Sequence, residues 1–166
     1  MTGPRRDASG DRLADLYDRF AGMLFRHAAM ILADRAAAAD VVQTVFLRLA
    51  KAGSGGDVEY LAYLRRAVRN ECYSVLRARR RDIVSAVDGR LLERVEAADD
   101  RPAERLALEQ ALQQLPAEQR EVVHLKVWEG MTFQEIADLT GEPLNTAASR
   151  YRYATERLRN ILSEKV

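Results

Sequence analysis

The residues of this chain that could do chemistry gather in two places, and both are cationic. In MTFQEIADLTGEPLNTAASRYRY (131–153), Asn145, Thr146, Ser149, Arg150, Arg152 and Tyr153 follow a tight turn. Amides, hydroxyls and guanidiniums at helical spacing can meet base edges and phosphates in a duplex groove. Earlier, Arg65, Arg66, Arg69, Arg77, Arg79, Arg80 and Arg81 crowd one segment, with Tyr60, Tyr63 and Tyr73 interleaved. Cations neutralise phosphates and release counterions. Aromatic rings stack on unpaired bases, at roughly 1–3 kcal/mol each. This second set suits single-stranded or opening DNA. Blander accounts stay open for both: a helical hairpin with a solvated polar face, and a solvated basic helix end whose tyrosines are half in the core. No paired-carboxylate cleft, Ser/His or Cys/His set, or phosphate-binding glycine loop accompanies them, so no catalytic residue and no cofactor is implied.

The elements that must position these groups are legible locally. Thr132 followed by Glu135 makes a capping box at a helix start, and Phe133, Ile136, Ala137 and Leu139 give that helix an inward face. Gly141 can take the left-handed conformation that ends it, and Pro143 opposes smooth continuation. Asn145 is a good N-cap for the next helix. There Leu144, Ala147, Tyr151, Ala154, Leu158 and Ile161 step by three and four and share one stripe. Ser149, Arg152, Tyr153 and Glu156 fall opposite, while Asn145 and Thr146 sit at the tip, where the helix dipole favours a phosphate. This is the pattern of a helix-turn-helix, whose second helix enters the major groove.

The rest of the chain reads as helix after helix. Leu13, Leu16, Tyr17, Phe20, Leu24, His27 and Ile31 mark a long first helix. Asp34 can cap a second, with Val42, Val45, Phe46 and Leu49 on its buried side. Gly53, Ser54, Gly55 and Gly56 break the pattern. A third helix is expected over residues 58–80, with Leu61, Leu64, Val68, Cys72 and Val75 inward. Residues 82–101 read as a linker with a short helical turn at 91–95. Helices over 103–114 and 116–128 precede the helix-turn-helix, Pro116 suiting a first turn. The expected fold is therefore all-α: a disordered arm (1–10), a three-helix bundle (11–81), a flexible linker (82–101) and a four-helix domain (102–166). Each domain is near the lower size limit for a self-sufficient core, which makes a partner the expected source of their mutual geometry.

Composition excludes several classes. With 26 Lys and Arg against 25 Asp and Glu, the formal net charge is +1, so attraction to nucleic acid must come from local patches. One cysteine, Cys72, allows no intrachain disulfide and fits a reducing compartment. His27 and His124 have no neighbouring ligand cluster and read as packing or surface histidines, not metal ligands. No apolar run approaches the roughly 20 residues needed to span a bilayer, so no membrane insertion is expected. The first ten residues lack the apolar core of a signal peptide.

Four motifs occur in one order: DVVQTVFLRL (40–49), YLRRAVRN (63–70), LQQLPAEQR (112–120) and the helix-turn-helix. Together they resemble a bacterial RNA polymerase sigma factor of the sigma-70 family, extracytoplasmic-function group, over residues 11–161. The resemblance implies regions 2 and 4 as the two domains. It implies that Asp40, Gln43, Phe46 and Leu47 dock on the β′ clamp helices of core RNA polymerase. Asp40 and Gln43 lie on the face away from Val42, Val45 and Leu49; the spacing of Phe46 also suits the core. It implies −10 promoter contacts for Asn70 and, along the same helix, for Tyr60, Tyr63, Arg65, Arg66, Arg69, Tyr73, Arg77 and Arg80. It implies that the loop at 51–59 takes up a flipped base, and that Asn145, Thr146, Ser149, Arg150, Arg152 and Tyr153 read the −35 element. Further implied partners are the β flap, promoter DNA and an anti-sigma factor. The implied location is cytoplasmic, at the nucleoid when active, or tethered through a membrane-bound inhibitor. The chain departs from the family at Tyr63, where Trp is frequent, at Thr44, where an acid is, and at Ala148, where Lys or Arg is. A rival class is a helix-turn-helix regulator that binds operator DNA without polymerase; the 40–49 surface discriminates between them.

Overall fold

The computed structural model describes residues 8–52, 60–85 and 103–163. Residues 53–59 of the loop expected at 51–59, most of the linker with its turn at 91–95, and residues 1–7 of the N-terminal arm lie outside them. Seven helices follow in order: α1 (Ala8–Leu32), α2 (Arg35–Ala52), α3 (Tyr60–Ser85), α4 (Ala103–Gln113), α5 (Ala117–Val127), α6 (Phe133–Thr140) and α7 (Leu144–Ser163). No strand occurs among the described residues. Three helix ends overrun the segments read as loop, arm and linker. Helix α2 runs on to Ala52, two residues into the expected loop. Helix α1 starts at Ala8, so the last residues assigned to the arm are helical, and α3 runs on to Ser85, into the segment read as linker.

Helices α1–α3 share one core, in which Leu24, Ile31, Leu64, Val68 and Cys72 are fully enclosed. Each such aliphatic side chain contributes roughly 1.5–3 kcal/mol over leaving it exposed. Burial pushes the Cys72 thiol up to about 12, so it stays protonated and inert. The α1–α2 corner is set by Ala33, held at φ 52°, and by Asp34, whose carboxylate accepts the Ala37 N–H at 3.0 Å. That bond, ahead of the Arg79 guanidinium, holds Asp34 below its ordinary range. Arg79 donates to the same carboxylate at 2.7 Å and so fastens the far end of α3 to the start of α2.

Helices α4–α7 form two smaller clusters. Ala111, Leu112, Leu115 and Val123 meet Ala154 and Leu158 in one, and Val122, Leu125, Ile136 and Ala147 form the other. The two helix sets also pack directly against each other, chiefly through α1 and α5. Arg120 on α5 is buried and donates to the carbonyls of Met30 (2.6 Å) and Ile31 (2.8 Å) at the end of α1, and to that of Leu115 (2.7 Å). A cation at a helix C-terminus satisfies its orphan carbonyls and complements its dipole.

Candidate nucleic-acid interface

The helix-turn-helix is built as its residues dictate. The Thr132 hydroxyl accepts the Glu135 N–H, and Glu135 accepts the Thr132 N–H at 2.7 Å, closing the capping box. The Thr132 amide holds the exposed Glu135 carboxyl below its ordinary range. Gly141 ends α6 at φ 73°. Helix α7 then starts earlier than expected. The Pro143 carbonyl accepts from Thr146 and Ala147, so Pro143 leads into the helix and Asn145 already lies within its first turn. Leu144, assigned to the buried stripe, is exposed, while Ala147, Ala154 and Leu158 are buried. The helix begins at Leu144, before the stripe turns inward.

On α7 the candidate readers differ in freedom. Asn145, Arg152 and Tyr153 are exposed, and the Arg152 guanidinium lies 4.9 Å from the Tyr153 ring centre. Thr146, Ser149 and Arg150 are half-buried; Ser149 donates to the Thr146 carbonyl, and Arg150 pairs with Glu142 at 3.1 Å.

Helix α3 carries two parallel rows. Tyr63, Arg66, Asn70, Arg77 and Arg80 are exposed. Arg65, Arg69 and Tyr73, spaced by four, face α5 and the turn after it. Arg65 meets Glu129 at 2.5 Å, Arg69 meets Glu121 at 2.9 Å, and the Tyr73 hydroxyl donates to Glu121 at 2.7 Å. The Arg69 guanidinium also lies 4.6 Å from the Tyr73 ring centre. Tyr60 packs against the first core, and its buried hydroxyl has no partner among the described residues. Of the three tyrosines on α3, Tyr63 is the one with a ring open for stacking, 46% exposed.

Glu121 is 1% exposed and also accepts from His27 Nε2 at 3.1 Å. Burial alone would raise its pKa; the His27 hydrogen bond, the His27 and Arg69 charges and the Tyr73 hydroxyl outweigh that and hold it low. Burial, reinforced by the same carboxylate, drives the Tyr73 phenol up. His124, one turn on, stacks with His27 at 5.8 Å and with Trp128 at 6.0 Å. Its Nε2 lies 3.4 Å from Glu129 without hydrogen-bond alignment, and burial lowers its pKa to about 4. Glu121, Glu129, His27 and Arg120 were not singled out from sequence as interface groups. One signal was present: Glu121 is a carboxylate beside Val122, Val123 and Leu125 in the helical run EVVHL (121–125).

On α2, Asp40, Gln43 and Leu47 are exposed, Leu47 by 56%. Phe46 departs from the expected docking set. It is 5% exposed, with its ring edge-on to Tyr17 at 5.0 Å, because its position turns it into the core with Val42 and Leu49. No helix among the described residues is long and apolar enough to cross a membrane.

This architecture defines a two-module, all-helical DNA-reading protein with a separate exposed row on α2. Residues 16–82 match the family model for Sigma-70 region 2, and residues 105–158 that for Sigma-70, region 4. The chain is 34% identical over 160 residues to the ECF RNA polymerase sigma factor SigL of Mycobacterium tuberculosis, covering 90% of this chain and 88% of that one. It is 30% identical over 165 residues to the RNA polymerase sigma factor CarQ of Myxococcus xanthus, covering 96% and 94%. In three dimensions it resembles the sigma factor RpoE of Bartonella quintana, solved in complex with the anti-sigma factor NepR. That likeness has a TM-score of 0.72 at 26% identity and spans 92% of this chain and 97% of that one. The chain belongs to the extracytoplasmic-function group of sigma-70 family RNA polymerase sigma factors. It is a transcription initiation factor that lends core polymerase its promoter specificity.

Proposed function

We propose that the promoter-directing activity is divided among three faces of this chain. The row Asp40, Gln43 and Leu47 docks on the β′ clamp helices. The exposed row of α3, with the Tyr63 ring beside Arg66 and Asn70, captures unpaired −10 bases. Helix α7 enters the −35 major groove with Asn145, Arg152 and Tyr153 foremost, its module resting on the β flap. The observation that supports this reading is the row on α2: Asp40, Gln43 and Leu47 stand exposed on a packed helix whose opposite side is core, within the stretch that matches Sigma-70 region 2. An anti-sigma protein is the proposed inhibitor, supported by the Bartonella RpoE complex with NepR. The expected location is the cytoplasm, at the nucleoid when active. Incubating the purified chain with core polymerase at mild ionic strength and passing it over a sizing column tests the first step. Co-elution is expected; separate elution with inhibitor absent contradicts the docking assignment.

A further inference from the structure

We propose that the cleft between α3, α5 and the start of α7 is a binding site for a small phosphorylated ligand that also carries paired N–H donors, a guanine mononucleotide. Its lining includes Arg69, Asn70 and Arg77 of α3, Glu118 of α5, and Glu142 and Arg150 at the helix-turn-helix, around a volume of about 320 Å³. Small-ligand pockets begin at roughly 300 Å³. One nucleotide fits that space and a run of them does not. The site stands on this lining alone. It goes beyond the promoter contacts proposed above, and its failure would leave them untouched.

The lining selects the ligand's chemistry. Most small-molecule pockets are apolar with a few placed polar groups. Here three guanidiniums and an amide offer donors, and two carboxylates accept. An apolar occupant would strip water from these groups and leave them unpaired. The occupant must therefore be an anion that also donates. Guanidiniums hold phosphate oxygens through paired N–H groups. A carboxylate's two oxygens hold two adjacent N–H groups in the same way. Among the bases of nucleotides, guanine presents such a pair, at N1 and the 2-amino group, whereas adenine and cytosine present only an amino group. Glu142 is committed to Arg150. That leaves Glu118 as the carboxylate placed for the base.

Part of the lining is fixed in advance and part is free. Arg69 directs Nε to Glu121 at 2.9 Å and lies 4.6 Å from the Tyr73 ring centre. Arg150 directs one terminal nitrogen to Glu142 at 3.1 Å. A guanidinium has five N–H donors, so both arginines keep donors for the cleft. Held side chains lose little further freedom on capturing a ligand. Asn70 and Arg77 are exposed and pair with no other described residue, so they are open to the first phosphate contact. The lining is drawn from α3, α5 and α7 together, so the ligand binds the folded chain and not the unfolded one.

The test uses the full chain without polymerase. Titration calorimetry and a thermal melt are run with GMP, and with AMP, guanosine and inorganic phosphate as partial probes. GMP is expected to bind one site with an affinity on the order of 10 µM, as suits a ligand of its size, and to raise Tm by linkage. Guanosine, inorganic phosphate and AMP, each lacking part of the match, are expected to bind about tenfold weaker or worse. Arg77→Ala is expected to weaken GMP about tenfold, as loss of a charged hydrogen bond does. Glu118→Gln is expected to bring GMP down to the affinity of AMP, and it decides the matter should Arg77→Ala lose helix content by circular dichroism. Arg159→Ala, exposed on α7 outside the lining, is the control and should match wild type. No saturable GMP binding at millimolar concentration overturns the site. GMP binding unmoved by both cleft variants overturns its placement in this cleft. Inorganic phosphate binding as tightly as GMP overturns the nucleotide, leaving an adventitious ion only, and AMP binding as tightly as GMP overturns the role given to Glu118.

Discussion

Helices α3 and α7 carry the same kind of sequence signal, arginines interleaved with tyrosines, and the fold treats them differently. On α7, Arg152 and Tyr153 stand in solvent, while Arg150 is tied to a neighbour in its own module. On α3, Arg65 and Arg69 are tied to carboxylates of the other module, and Tyr73 with them. A cationic, aromatic-rich helix is therefore not by itself an available surface. Its availability depends on which carboxylates the rest of the chain brings to it. The face proposed to read duplex is partly open; half of the face proposed to read a single strand is occupied by carboxylates.

The change expected to have the largest effect spares both helices. Asp40→Arg puts a bulky cation on the exposed α2 row, and reversing a charge at an interface costs several kcal/mol. Affinity for core polymerase, measured by a competition pull-down, is expected to fall about 100-fold, with the thermal melt unchanged because Asp40 is exposed. Equal recovery of polymerase by both proteins would sink the docking assignment.

Next comes a pair that separates the two helices. Arg152→Ala should remove roughly 1–3 kcal/mol of base discrimination, read as lower run-off output from templates with an intact upstream element. Arg69→Ala should leave the polymerase-free chain's weak strand binding nearly unchanged, since that guanidinium is already engaged, yet lower open-complex formation once polymerase is present. Loss of strand binding by the free Arg69→Ala chain would contradict the contrast between covered and open faces.

A smaller effect follows from pH. His124 faces His27 and Arg26 of α1 and Glu129, which Arg65 of α3 holds; burial keeps His124 neutral, lowering its pKa from 6.5 to about 4. A group whose pKa is depressed in the packed state stabilises that state fully above its unperturbed value and loses the contribution as pH falls toward the depressed one. Glu121, also held low, acts in the same direction at more acid pH. Packing between the modules is therefore expected to weaken from about pH 6.5 downward, seen as expansion by scattering between neutral and pH 5. A tighter chain at pH 5 than at pH 7.5 would contradict it. The smallest expected effect is Thr132→Ala, which removes a helix cap and should cost about 1 kcal/mol in a thermal melt, leaving the α3 contacts intact. A loss several times larger would mean that α6 is held by its cap more than by its packing.

Much of the fold was legible because its causes are local. The stripes of α1–α3, the capping box at Thr132 and the left-handed Gly141 each depend on residues within a turn or two. The start of α7 is not fixed by local pattern, because Pro143 and Asn145 both suit a helix entrance; the structure enters the helix through Pro143. Phe46 suited both core and docking face; packing against Tyr17 decided it. The Glu121 cluster was out of reach for a different reason. Its bond to His27 spans 94 positions and that to Arg69 spans 52. Reading the modules as separate, with a partner needed to fix them, hid a contact that exists only when they touch.

The most direct test of the whole account is to mix the purified chain with core RNA polymerase on sheared genomic DNA and sequence the 5′ ends of the transcripts. Starts should cluster at a small set of positions sharing two upstream elements, and the clusters should vanish with Asp40→Arg. Starts indistinguishable from those of polymerase alone, from a chain that still binds duplex DNA by itself, would contradict it.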